Sequence, residues 1–268
     1  MQAYIAAIEP VNVEWSKNIC LKIFFAGCNF KCPFCNTPHL LETNEEFLKD
    51  LKDVKKEIEL NGSFTEAVIF TGGEPCLQKP QLVELAKFCR EKKIKVGIET
   101  NGSKPEVLRG LLKEALVDFV AIDIKAQFDE VNAGFKEVNN AEVSVNEAEV
   151  NNALFEKVTK SKTFFISTNQ IIQDIKTSLE ILHEYKDKVD IEARTIIVPS
   201  LLFRKEDVIK VAEIVNELDA RWVIQRFNNM PELVEKNFEH IHPPSTTFLE
   251  DLKEACVKKY PKLRIEIK

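Results

Sequence analysis

The architecture that this sequence predicts is α/β, an incomplete (βα)6 TIM-like barrel in a single domain. Three observations carry the expectation. Six short runs rich in β-branched and aromatic residues are spread over 268 residues, most of them followed by a helical pattern. Such repeated strand–helix order implies parallel strands with right-handed crossovers. Polar motifs stand at the carboxyl ends of the first four runs, the rim where barrel enzymes build their sites. With 44% hydrophobic residues, the chain can also bury one sizeable core.

The first strand is Ile19-Cys20-Leu21-Lys22-Ile23-Phe24-Phe25, a run suited to a buried position. Thr43 with Glu46 three residues later matches a capping box and predicts a helix with Phe47, Leu51, Val54 and Ile58 on one face. Ala67 to Phe70 is the second strand, and Leu82, Leu85, Ala86 and Cys89 mark the inward face of the helix after it. Lys95 to Ile98 is the third strand, a helix follows near 105–115, and Phe119 to Ile122 is the fourth. Ile191 to Val198 is the fifth, and Val208, Val211, Val215 and Leu218 align on the next helix. Trp222-Val223-Ile224 is the sixth. After Pro243-Pro244, over 243–268, come a helix (Phe248, Leu252, Ala255) and alternating Leu263, Ile265 and Ile267. Residues 127–160 break the rhythm with seven acidic side chains, three basic ones, six asparagines and few bulky aliphatics. That composition buries little, so a solvated insertion is expected, either a surface loop or a mobile lid. We therefore expect one domain over 1–268, with its functional core at 12–126.

Net charge −6 and a pI near 5.5 argue against a nucleic-acid groove as the main surface. No apolar run approaches the ~20 residues needed to span a bilayer. The amino terminus lacks the basic segment of a secretory signal. Seven cysteines without such a signal read as reduced thiols, and the cytoplasm is the expected compartment.

Chemistry concentrates in Cys28, Cys32 and Cys35, spaced x3 then x2 on a short loop after the first strand. Three thiolates so placed can converge on one metal centre. A structural zinc site wants four closed ligands, and a ferredoxin cluster also wants four cysteines. Three ligands imply a centre with one open position, and hence an enzyme. Thr71-Gly72-Gly73-Glu74-Pro75 follows the second strand, Glu99-Thr100-Asn101-Gly102 the third, and Asp123 with Lys125 the fourth. Gly72 and Gly73 allow backbone to approach a ligand, and Glu74 offers a carboxylate for an ammonium group. Taken singly, the glycine pair and Asn101-Gly102 could equally be turns, and Asp123 with Lys125 a salt bridge. Four groups in succession at one rim point to a site.

These motifs resemble the radical S-adenosylmethionine superfamily. Cys28-x3-Cys32-x2-Cys35, with Phe34 before the third cysteine, is similar to its signature, and the rim groups are similar to those of glycyl-radical-enzyme activating enzymes. Within that group the chain resembles the short archaeal-type activases, of the pyruvate formate-lyase or anaerobic ribonucleotide reductase kind. The likeness covers about 12–126 and resumes from about Leu179 to Phe227.

The resemblance implies a 4Fe-4S cluster on Cys28, Cys32 and Cys35 whose open iron chelates S-adenosylmethionine, and reductive cleavage to a 5′-deoxyadenosyl radical. It implies that Gly72, Gly73 and Glu74 meet the amino group, that Phe34 and Asn36 lie along the adenine, and that Thr100, Asp123 and Lys125 reach ribose or carboxylate. It further implies a monovalent cation on Glu99 and Asp123, although Glu stands where Asp is common. A glycyl radical enzyme as partner and a flavodoxin- or ferredoxin-type electron donor are the implied partners. Cys20, Cys76, Cys89 and Cys256 form no second cluster motif, His240 and His242 read as a solvated loop, and Gln225, Arg226 and Phe227 could face substrate or simply end a strand. The rivals are a radical enzyme acting on a small molecule or RNA base, and a non-catalytic iron–sulfur or zinc protein.

Overall fold

Strand periodicity decides the architecture. In the computed structural model, which describes residues 1–12, 15, 18–62, 65–128 and 147–268, seven strands run parallel: β2 (Ile19–Phe25), β4 (Ala67–Gly72), β5 (Lys95–Thr100), β6 (Phe119–Asp123), β7 (Asp190–Ile197), β8 (Arg221–Arg226) and β9 (Arg264–Ile267). Two more, β1 (Gln2–Asn12) and β3 (Leu48–Asp50), pair antiparallel at one edge. The order is β3-β1-β2-β4-β5-β6-β7-β8-β9, so the sheet is open. The six expected strands form its centre, as in an incomplete (βα)6 barrel.

Successive strand residues face opposite sides of a sheet, and here the two sides bury different chemistry. Leu21, Ile23, Phe25, Val68, Phe70, Val96, Ile98, Val120 and Ile122 pack outward in the main core. There they meet α1 (Leu51–Asn61), α2 (Lys79–Glu91), α3 (Pro105–Lys113), α5 (Thr168–Tyr185), α6 (Lys205–Leu218) and α7 (Thr246–Lys259). The alternate set forms the inner face. Its lower layer is apolar: Cys20, Ala67, Ile69, Phe119 and Ala121 with Trp15. Trp15 stacks on Phe119 at 5.2 Å and donates its indole N–H to Asp190 at 2.8 Å, closing the bottom. Above that layer the inner positions become charged and polar, and this gradient makes the site.

Several sequence expectations need correction. Thr43 and Glu46 do not open a helix. Asn44 caps a single 3-10 turn, Glu45–Phe47, then β3 intervenes, and α1 starts at Leu51 with Asp50 accepting the Lys52 N–H at 2.9 Å. Phe47 thus lies outside that helix. On α7 the buried face is Leu249, Leu252 and Cys256, with Phe248 only partly buried. Neither β1 nor α5 was foreseen. Of the 127–160 insertion, 129–146 lie outside the described residues, whereas Glu147–Thr159 form α4. This helix is anchored: Phe155 and Val158 are buried, and Phe155 meets Phe30 and Phe128 edge-on at 6.2 and 5.9 Å. Among the described residues no helix is long and apolar enough to cross a membrane.

Candidate functional site

A cavity of about 730 Å³ opens at the carboxyl ends of the parallel strands, within the ~300–1,000 Å³ range of ligand sites. The three cysteines, Phe34, Asn36, Gly72, Gly73, Glu99, Thr100, Asp123 and Lys125 all line it. Eleven of the twelve expected site residues are thereby brought together from four segments. Gln225, Arg226 and Phe227 line it too. His240 and His242 are exposed outside it, and Cys20, Cys76, Cys89 and Cys256 are buried free thiols.

The cysteine loop is held on every side. Gly27 and Cys28 donate N–H groups to the carbonyls of Leu40 and Leu41 at 2.8 and 3.0 Å, and Lys31 N–H bonds the Thr159 carbonyl at the end of α4 at 2.8 Å. Glu235 N–H reaches Pro33 at 2.9 Å. The Asn29 side chain donates to Ser103 at 2.8 Å and accepts from Asn101 at 2.9 Å, latching the loop to the segment after β5. Phe30 N–H points to Cys28 Sγ at 3.4 Å, and Thr37 Oγ1 lies 3.5 Å from Cys35 Sγ. Outer contacts of this kind orient thiolate ligands and tune a metal centre.

Burial pushes the Cys28 thiol up to about 12 and the Cys32 thiol up to about 11, the ammonium of Lys125 working against it in both. Thiols in apolar surroundings ionise when a metal centre supplies the compensating charge. Three soft ligands on one pinned loop fit an iron–sulfur cluster. Lys125 pairs with Asp123 at 2.8 Å. Burial alone would lower its pKa, but Asp123 and the Cys32 thiol raise it overall.

The glycines show why no side chain fits. Gly72 has φ +116°, and a Cβ there would lie 2.2 Å from the Phe25 carbonyl oxygen. At Gly73 it would lie 2.3 Å from the Gly27 carbonyl oxygen. The β4 turn and the cysteine loop are therefore in backbone contact, reinforced by Glu74 N–H to the Gly27 carbonyl at 2.8 Å.

Glu74 differs from expectation. Its side chain does not line the cavity and is 0% exposed. Oε1 accepts from the Thr100 hydroxyl at 2.8 Å and Cys76 N–H at 3.0 Å, and Oε2 accepts from Asn101 N–H at 2.7 Å. Burial raises its pKa, and these donors oppose that only in part. Its reach to the cavity runs through Thr100 and Asn101.

Beneath the rim lies a ladder of charges that the sequence reading missed. Lys22 on β2 and Arg194 on β7 flank Glu99, and Arg194 Nε also donates to Glu192 at 2.6 Å. Arg221 on β8 takes the other Glu192 oxygen. Burial would raise the Glu99 carboxyl, but Arg194 and Lys22 hold it down at about 2. The available signal was period two: Lys22, Glu192 and Arg194 each occupy inward positions of strands otherwise read as apolar.

Comparison with known proteins agrees with this geometry. The family described as the Radical SAM superfamily matches residues 22–166. A protein of Methanocaldococcus jannaschii that carries the provisional name of a glycyl-radical enzyme activating enzyme is 30% identical, over 97% of this chain and 94% of its own. The pyruvate formate-lyase-activating enzyme of Clostridium pasteurianum is 27% identical over 80% of this chain and 76% of its own. Among solved structures, a radical SAM methyltransferase from Sphaerobacter thermophilus superposes with TM-score 0.62 at 10% identity, covering 97% of this chain and 76% of that one.

Proposed function

The chain belongs to the radical S-adenosylmethionine superfamily, and on that premise we propose that this enzyme cleaves S-adenosylmethionine reductively to place a radical on a glycine of a partner enzyme. One observation carries the reading: the three-cysteine loop shares a single cavity with Gly72, Gly73, Thr100, Asp123 and Lys125.

When bound, a four-iron cluster would supply the electron, and S-adenosylmethionine the carbon whose radical abstracts hydrogen. Cys28, Cys32 and Cys35 would hold the cluster. Gly72 and Gly73 leave backbone bare for the methionine end of the ligand. Asn36 and Phe34 line the same cavity and would lie along the adenine. The Thr100 hydroxyl donates to Glu74, so it faces a ligand as an acceptor. Lys125 and Asp123 offer opposite charges to a zwitterion. Phe30 and Phe155, both buried behind the loop, exclude water from the cluster side, where a stray hydrogen donor would quench a radical. A flavodoxin- or ferredoxin-type carrier in the cytoplasm would deliver the electron.

Anaerobic incubation with S-adenosylmethionine, a reductant and the glycyl radical enzymes of the source organism tests the reading by electron paramagnetic resonance. A glycyl radical doublet on one of them is the expected result. Cleavage of S-adenosylmethionine with no doublet on any would transfer the assignment to a small-molecule or RNA-base substrate.

A further inference from the structure

The monovalent cation that the resemblance assigns to Glu99 and Asp123 does not fit the side chains around them. Both oxygens of Glu99 are engaged. Oε1 accepts from Arg194 Nη1 at 2.6 Å and lies 3.3 Å from Lys22 Nζ. Oε2 accepts from the Thr71 hydroxyl at 2.6 Å and from Lys22 Nζ at 3.4 Å. Side chains of Glu99, Lys22 and Arg194 are 15%, 12% and 13% exposed, so water does little to screen these pairs. Asp123 is bonded to Lys125.

Glu99 is flanked by two cations, Lys22 and Arg194, and Arg194 continues through Glu192 to Arg221, which also lies 3.7 Å from Glu266. An ion at Glu99 would stand beside both flanking cations, and like charges held close in a poorly screened site repel strongly. Among the described residues, no third His, Cys, Asp or Glu side chain joins Glu99 and Asp123 in a group that could hold a metal ion. The sheet explains how Arg194 reaches Glu99 across an intervening strand. On β6, Ala121 is in register with Glu99 on one side and Glu192 on the other. Its methyl leaves the space that the guanidinium spans, and glutamate extends one methylene further toward it than aspartate would.

We propose that Lys22 and Arg194 take the place of the small cation in this chain, keeping Glu99 charged and fixed so that the S-adenosylmethionine site works without a bound monovalent ion. The proposal rests on the function proposed above for what the site binds, and on the geometry alone for what holds Glu99.

The test has two arms. In the first, reconstituted holoenzyme binds S-adenosylmethionine in tetramethylammonium chloride, an ion too large for such a site, and in potassium or sodium chloride at matched ionic strength. The expected affinities agree within ~2-fold, and a loss of ~10-fold or more in tetramethylammonium would overturn the proposal. Arg194→Met and Lys22→Met should each weaken binding in tetramethylammonium and recover part of it in potassium. Absence of recovery in both would remove the equivalence between these side chains and an ion.

The second arm uses the metal-free native chain, with Glu99→Gln as control, and sodium-23 relaxation, so it needs no cluster. No line broadening beyond that of a Glu99→Gln control is expected. Broadening by the native chain that Glu99→Gln abolishes would demonstrate an ion site and refute the proposal. Should S-adenosylmethionine fail to bind in every salt, the functional reading falls, while the sodium measurement still decides what holds Glu99.

Discussion

Replacing Glu74 by Gln separates a positioning role from ligand contact, because the change keeps shape and removes one acceptor. The native carboxylate takes two donors on Oε1 and the Asn101 N–H on Oε2 at 2.7 Å. Glutamine can leave its oxygen with Thr100 and Cys76, but its NH2 group then meets the Asn101 N–H donor to donor. A buried backbone donor without an acceptor costs about 1–3 kcal/mol, and the two surviving bonds lose charge assistance, about 0.5 kcal/mol each. Burial disfavours the charged form of Glu74, so losing the charge offsets part of this. The net expectation is about 1–3 kcal/mol less stability. Asn101 must then shift, carrying Thr100 at the cavity wall, and S-adenosylmethionine should bind roughly 3- to 10-fold more weakly. Urea unfolding of the metal-free chain, iron counting after anaerobic reconstitution and equilibrium binding measure the three quantities. Iron content should stay at the native level, since the cysteine loop loses only its Asn101 latch and keeps its backbone bonds to Leu40, Leu41 and Thr159. Native-like unfolding combined with a collapse of affinity would refute the reasoning, because it would mean that Glu74 touches the ligand.

Cys28→Ala, Cys32→Ala and Cys35→Ala should each abolish iron binding, whereas Cys89→Ala, in the buried face of α2, should reconstitute fully; full occupancy in Cys32→Ala would overturn the ligand assignment. Phe155→Ala removes two edge-on ring contacts and should cost about 3–5 kcal/mol of stability. It should also speed loss of the cluster in air, seen as faster bleaching of its visible absorption, and unaltered bleaching would deny α4 its role behind the loop. Glu99 is held at about 2 against an ordinary 4.5, and each tenfold change in acidity is worth about 1.4 kcal/mol, so the ladder contributes about 3 kcal/mol. The folded value is depressed, so this contribution is present above pH ~4.5 and is lost as pH falls toward ~2. Acid unfolding of Glu99→Gln beside the native chain checks it, and identical slopes over that window would count against the ladder.

Much of the centre of this protein was legible from periodicity. The six strands appeared where buried aliphatic and aromatic runs appear, and the inward face of α2 was visible in Leu82, Leu85, Ala86 and Cys89 because tertiary packing there follows the helical stripe. Less legible were β1 and α5. The amino-terminal run pairs with β2 over a long antiparallel register, a contact that no local pattern announces. Thr43 with Glu46 matched a helix start by chemistry alone, but the chain spends those residues on a 3-10 turn and a short edge strand. The composition of the insertion misled in its second half, where Phe155 and Val158 suffice to seat α4 because Phe30 and Phe128 receive them.

The sequence by itself showed the candidate ligands and their level in the fold. Three cysteines at x3 and x2 spacing, and polar groups ending successive parallel strands, must meet at one rim because strand polarity puts every carboxyl end on the same side. Only the tertiary structure decided which of those groups faces the cavity and which supports it. Glu74 and Glu99 read alike in sequence, as carboxylates beside a strand end. Folding buries the first under Thr100 and Asn101 and sets the second between Lys22 and Arg194, partners 77 and 95 residues away. Solvation and charge pairing are properties of that three-dimensional neighbourhood, and no local spacing encodes them.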